Sequence, residues 1–287
     1  MKIAELADRA LYGAARVWNR RSMAAVAERD GHVQFEATVA AVTDLNPSMR
    51  RITLAAPEFG QYALAGPDEY FGLLMPGADG RLHLPDAERI NVRAAVAEMA
   101  EEEQPGLRWY TVRELRRATS ELDVDIVTHG DAGPGSAWAV RAKVGDPVGF
   151  RSGGALYTAF DPARQLFVAD ETAVPALLAI LQERSRRRLP GLGDAVQVHV
   201  EVPAAEMLEG LDLPAEVTVH LRGDEDPGTA VLAALTADPS LTEGFDYAWA
   251  CGEAGLATSV RRHLVSVGME KRDITFSGYW KLGAARG

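Results

Sequence analysis

The run "RWYTVRE" (108–114) places a fixed cation, Arg108, beside a phenol ring, Tyr110, and a hydroxyl, Thr111. On a strand, side chains alternate between faces, so Arg108, Tyr110 and Val112 share one face, with Trp109, Thr111 and Arg113 on the other. A cation next to a flat ring suits a ligand with both phosphate and aromatic parts. A second run, "HGDAGPGSAWAVRAKVGD" (129–146), has a tight turn at Gly133-Pro134-Gly135, with Ser136 as N-cap of a short helix. A glycine-rich turn opening into a helix exposes backbone N–H groups that attract a pyrophosphate. An ordinary capped helix between two strands would read the same way.

Two further runs lie where strands give way to helices. In "FVADETAVPALLAIL" (167–181), Asp170-Glu171-Thr172 follows an apolar strand, at the kind of carboxyl edge where open α/β sheets bind ligands. The glycines of a G-x-G-x-x-G turn are absent, and helix capping by Asp170 and Thr172 fits equally well. In "YAWACGEAGLATSVRRHL" (247–264), Cys251-Gly252-Glu253 ends another strand. No histidine pairs recognisably with Cys251, so its small side chain reads as room for a planar ring rather than as a nucleophile. Tyr279 and Trp280 in the terminal "GYW" read as packing on the sheet. His129, His199, His220 and His263 lack metal-ligand spacing, so no metal site is expected, and His199 reads as a satisfied core residue.

The elements that must position these residues divide the chain. Residues 1–31 read as an amphipathic helical extension, interrupted by charges at Glu5, Asp8 and Arg9, and so neither signal peptide nor membrane span. Residues 32–158 carry six short β-branched or aromatic segments between Pro, Gly and Asp, the punctuation of a closed antiparallel Greek-key barrel. Within them, Pro85 to Gly106 is an insertion that reads as a helix. Residues 159–287 alternate short apolar strands with helices, including "PAAEMLEGL" as a short helix, the rhythm of a parallel α/β sheet.

Bulk properties agree with two folded domains. The chain has 287 residues, 47% hydrophobic and 25% charged, with a net charge of −11. That charge argues against a nucleic-acid or anionic-membrane partner. The single cysteine excludes an internal disulfide and a Cys-rich iron–sulfur site, and fits a cytoplasmic protein.

Taken in order, these runs resemble the siderophore-interacting protein family, flavin-dependent ferric-siderophore reductases within the ferredoxin-reductase-like superfamily. Arg108, Tyr110 and Thr111 match the R-x-Y-[ST] flavin motif, and Gly133 to Ser136 match the G-x-x-S pyrophosphate turn. "DIVTHG", "SAWA", "ADETAVPAL", "WACGE" and "GYW" are more particular to the family, whereas "SGGALY" (152–157) departs from its usual G-P-x-G. The resemblance implies an FAD-binding barrel and an α/β domain that binds NADH or NADPH. By position, Arg108 would pair the FAD phosphates, Tyr110 pack on the isoalloxazine and Thr111 bond near its reactive edge. Thr128, His129 and Gly130 would line the cofactor path, Gly133, Gly135, Ser136 and Ala137 hold the pyrophosphate, and Trp138 flank the adenine. Asp170, Glu171, Thr172, Gly252 and Glu253 would line the nicotinamide cleft. No protein acid or base is expected, because the chemistry is the flavin's.

The substrate implied is a ferric siderophore, often anionic, for which Arg50, Arg51, Arg113 and Lys281 are the candidate cations. Glu201, ending the second sheet strand, is placed to bond an adenosine ribose, which favours NADH over NADPH. Reduced ferredoxin is the other candidate donor, and a monomer is expected. Two alternatives remain: a flavin reductase serving another protein or small acceptor, and a siderophore-binding protein without turnover.

Overall fold

The computed structural model describes residues 22–29, 31–128, 133–161, 163–193 and 195–283. The helical extension expected over residues 1–31 lies largely outside these residues. The chain divides into two compact units, one built mainly from residues 27–44 and 50–155, the other mainly from 156–287.

The first unit is a seven-stranded sheet. Its strands are β1 (Gln34–Asn46), β2 (Met49–Ala55), β3 (Tyr70–Met75), β4 (Gly106–Thr111), β5 (Glu114–Arg116), β6 (Glu121–Val127) and β7 (Pro147–Ser152), in the spatial order β4-β3-β7-β1-β2-β6-β5. Strands β4 and β5 stand at opposite ends of that order, yet only residues 112 and 113 join them. The sheet must therefore curl round until its edges meet, which is the closed barrel expected from the sequence. At the join, Val112 N donates to Glu69 O and Arg113 N to Asp123 O, so the run read as one strand, 107–115, is two. The barrel is filled by inward residues including Phe35, Val39, Ile52, Leu54, Phe71, Val124 and Phe150. Phe150 stacks on Phe35 and Phe71 and meets Phe59 and Tyr62 edge-on, a packing of rings that adds to simple burial.

The segment from Pro85 to Gly106 is not one helix. It holds one short α-helix, α1 (Val92–Ala97), capped by Asn91 Oδ1 accepting from Ala94 N at 3.2 Å, and a 3-10 turn at Glu101–Glu103. Before it, the carbonyls a helix would need are used elsewhere. Gln34 Nε2 donates to Pro85 O, and the buried Arg151 guanidinium donates to Ala87 O and Arg89 O.

The second unit is a parallel sheet of β8 (Gln165–Asp170), β9 (Val196–Val202), β10 (Thr218–Leu221), β11 (Tyr247–Glu253) and β12 (Ile274–Trp280), in the order β10-β9-β8-β11-β12. With α2 (Pro134–Arg141) assigned to the first unit, the helices here are α3 (Val174–Arg186), α4 (Thr229–Ala237) and α5 (Ala254–Ser266). Alternate strand residues feed two cores. Phe167, Val198, Val200, Trp249 and Cys251 pack with Val174, Leu177 and Ile180 of α3. Leu166, Val168, Ala248 and Ala250 pack with Val231 of α4 and Leu256, Val260 and Leu264 of α5. Burial on both faces explains why β8 and β11 read as apolar runs. "PAAEMLEGL" forms a single 3-10 turn, Ala205–Leu208, rather than an α-helix. Cys251 fills the first of these cores and leaves no room for a ring.

His199 is buried on β9, with Nδ1 2.9 Å from Nε2 of His220 on β10. Burial, then the adjoining His220, lowers the His199 pKa to about 4. Burial also lowers that of His220, against the opposing pull of Glu201. Both rings are neutral in the fold, whereas in the unfolded chain they take up protons near pH 6.5. The unfolded state therefore binds more protons between those values, and stability present above pH 6.5 is lost as pH falls towards 4. A His199→Gln protein should show a flatter dependence of Tm on pH across that window. Thermal melts showing the wild-type slope would refute this.

Candidate functional site

In the first unit, β4 presents Arg108 and Tyr110 to the start of α2. A Cβ added at Gly135 would overlap the Tyr110 hydroxyl and lie 3.1 Å from Arg108 Cγ, so both side chains lie against this backbone. Gly133 is the helix cap and brings no side chain to it; Pro134 follows at the first helical position. Ser136, expected as the cap, instead sits in the helix's first turn. Among the described residues no side chain caps the start of α2, which lies beside Arg108 and would favour an anion. Arg108 Nη1 donates to its neighbour's carbonyl, Leu107 O, at 2.6 Å, and has no carboxylate partner among the described residues. Burial pushes the Tyr110 hydroxyl up to about 12, against a downward pull from Arg108, so the ring stays neutral. Tyr110 and Trp138, both partly buried, pack against the barrel core. Thr111 is buried at the end of β4, paired with Tyr70 of β3, and Thr128 follows β6. Ala137 N donates to Gly133 O, closing the helix's first turn. His129 and Gly130 lie outside the described residues.

A methyl group at position 135 has nowhere to go unless Tyr110 or α2 shifts. Gly135→Ala should therefore cost about 1–3 kcal/mol of stability, the usual range for overpacking. Urea unfolding measures it, and a wild-type midpoint would contradict the close approach.

The three arginines among the expected substrate cations bond to the protein itself. Arg50 donates to Ala139 O at 2.8 Å and Val140 O at 2.6 Å, capping the carbonyl end of α2, and pairs with Asp44 at 2.6 Å. Arg51 grips Asp125 with two bonds of 2.7 and 2.8 Å, and Arg113 Nε lies 3.8 Å from the same carboxylate. Lys281 is exposed just past β12. Three of the four are already engaged by the protein.

In the second unit, the sequence-selected residues meet around one carboxylate. Asp170 Oδ1 accepts from Thr172 N, Thr172 Oγ1 and Ala173 N, while Oδ2 accepts from Glu253 N at 2.6 Å and Trp280 Nε1 at 2.8 Å. Gly252, at φ +141°, would place a Cβ 2.5 Å from the Asp170 carboxyl carbon, so glycine is required there. Burial, then the adjacent Glu171, raises the Asp170 pKa to about 6. Glu171 itself is held by Arg222 through two bonds of 2.9 and 2.8 Å. Reading the sequence did not single out Arg222. Its signal was an arginine directly after an apolar strand that ends at the same sheet edge as Asp170-Glu171.

Glu201 does not reach for a ribose. It is fully buried, accepting from Gly228 N at 2.5 Å and Val231 N at 2.8 Å at the start of α4. The reason for favouring NADH therefore falls away. Among the described residues no group of three or more His, Cys, Asp or Glu is placed to hold a metal, and no helix is long and apolar enough to cross a membrane.

Known proteins agree with this architecture. Residues 38–155 match a siderophore-interacting FAD-binding domain, and residues 162–283 match the siderophore-interacting protein family. The ferric vibriobactin reductase of Vibrio cholerae is 27% identical over 245 residues, covering 83% of this chain and 86% of the relative. A siderophore utilization protein from T. fusca superposes with a TM-score of 0.74 at 28% identity, covering 92% of this chain and 98% of that one. The ferredoxin reductase of a carbazole dioxygenase, 15% identical with a TM-score of 0.59 and covering 87% of this chain and 70% of that one, shares the fold alone. With both halves matched in order, the chain belongs to the siderophore-interacting protein family.

Proposed function

We propose that this protein is an FAD-dependent oxidoreductase that reduces ferric siderophores and so releases iron as Fe(II). The observation that carries this reading is the juxtaposition of Arg108, Tyr110 and the uncapped start of α2. These residues fit FAD: a guanidinium without a carboxylate partner among the described residues, a helix N-terminus for a pyrophosphate, and a neutral flat phenol for the ring system. When bound, FAD would supply the conversion of a two-electron donor into single electrons for Fe(III).

The chain's own residues bind and orient. Arg108 neutralises phosphate charge, and the α2 backbone adds N–H donors from the same side. Arg50 holds α2 in place from its other end, a positioning task rather than the substrate contact expected of it. Tyr110, kept protonated by burial, presents an apolar face to the ring, and Thr111 offers a hydroxyl near it. No side chain need move a proton, since the substrate step is an electron transfer: one electron converts Fe(III) to Fe(II), whose lower charge weakens its hold on hard oxygen donors. We assign the cofactor-binding role to residues 32–158 and the donor-binding role to residues 159–287. A dihydronicotinamide is the proposed donor, with reduced ferredoxin the other candidate.

The test separates binding from turnover. Purified protein loaded with FAD is photoreduced without oxygen and mixed with ferric hydroxamate and catecholate siderophores, and Fe(II) is trapped by a chromogenic chelator. Flavin reoxidation with matching Fe(II) release is expected. Protein that stays colourless and takes up no FAD, or reduced flavin inert to every ferric chelate, would refute the reading.

A further inference from the structure

In open α/β sheets a dinucleotide usually lays its pyrophosphate on a helix N-terminus at the carboxyl edge of the sheet, beside the point where strand order reverses. Here the order β10-β9-β8-β11-β12 reverses between β8 and β11, which end at Asp170 and Glu253. The three helices that begin at this edge can be examined one by one.

Ahead of α3, Asp170 takes the N–H groups of Thr172 and Ala173, at 2.9 and 3.2 Å. Pro175 has no N–H to offer, and Ala173, Val174 and Ala176 are fully buried. At the start of α4, Glu201 takes Gly228 N and Val231 N. At the start of α5, Glu253 is itself the cap, taking Gly255 N and Leu256 N. Each position where an anion would sit is therefore filled by one of the protein's own carboxylates. Arg222, directly after β10, is engaged by Glu171 with both terminal nitrogens, while Lys281, directly after β12, is exposed and follows no helix start. Between β8 and β11, Asp170 Oδ2 is taken up by Glu253 N and the Trp280 indole. A pyrophosphate brought here would meet carboxylates where its N–H partners should be, and like charges at short range repel.

We infer that this domain accepts a dihydronicotinamide donor without anchoring its pyrophosphate, so that the nicotinamide mononucleotide half alone carries recognition. The inference deepens the proposed reductase function and rests on it for the identity of the donor class. It also means that the adenosine end, with or without its 2′-phosphate, contributes little, so NADH and NADPH are used alike.

The test uses wild-type, FAD-loaded full-length chain. Anaerobic stopped-flow measures flavin reduction by NADH, NADPH and reduced nicotinamide mononucleotide, and calorimetry measures binding of ADP-ribose, which has the pyrophosphate but no nicotinamide. The expected result is that apparent Kd values for the three donors agree within about fivefold and that ADP-ribose shows no binding below about 1 mM. A dinucleotide bound about a hundredfold more tightly than the mononucleotide, ADP-ribose bound in the micromolar range, or a flavin that none of the three reduces would each overturn it. Iron release from photoreduced protein involves no pyridine nucleotide, so the reductase reading stands or falls separately.

Discussion

An Arg222→Ala protein is expected to be about 3–5 kcal/mol less stable than the wild type, the usual cost of stripping one partner from a buried ion pair. The Arg222 side chain is 6% exposed, and that of Glu171 is fully buried. Without the guanidinium, Glu171 keeps a charge with no counter-ion beside Asp170, whose carboxyl already titrates near pH 6, and near Glu201, whose Oε1 lies 3.8 Å from Arg222. Three carboxylates would then share a dry sheet edge. Arg222→Lys restores charge but not the two-pronged grip, so it should fall between the two. Urea unfolding followed by circular dichroism gives the answer, and a loss under about 1 kcal/mol would show that the pair is hydrated and unimportant.

Arg108→Ala is the second large effect. A hydrogen bond to an ionised group contributes about 1.5–3 kcal/mol, so FAD affinity should fall by about tenfold to 150-fold. The specific form of the prediction concerns phosphate. Riboflavin has the same ring system but no phosphate, so its affinity should be unchanged by the substitution. Fluorescence titrations of apoprotein with both flavins make the comparison. Equal losses for FAD and riboflavin would mean that Arg108 supports the pocket's shape rather than the phosphate, and no loss for either would remove it from the site.

How much could be read from the residues alone depended on the distance over which each feature is determined. The parallel sheet was legible because strand segments such as 166–169 and 247–251, buried on both faces, are apolar throughout. The barrel was legible from its short punctuated segments, although the break at Val112 was not, because it depends on Glu69 just before β3 and Asp123 of β6. The insertion misled for a similar reason: "AERINVRAAVAEMAEEE" has good helical propensity, but Gln34 and Arg151 claim the carbonyls ahead of Asn91. The charged residues were least legible. Nothing near Glu201 in sequence shows that it will cap a helix starting at Thr229, and nothing near Asp170 shows a bond to Trp280. Arg50 and Arg51 read as candidate substrate cations until α2 and Asp125 are in place.

Cys251 has a practical consequence. Its sulfur is sealed inside the second unit, fully buried in the interior strand β11, and it is the only thiol in the sequence. Peroxide formed when reduced flavin meets oxygen has no surface sulfhydryl to attack, so neither sulfenic acid nor a covalent dimer should build up in native preparations. The same seclusion makes the residue a built-in reporter: a maleimide can react only after this sheet has opened, so its labelling rate times the rarest breathing motions of that half of the polypeptide.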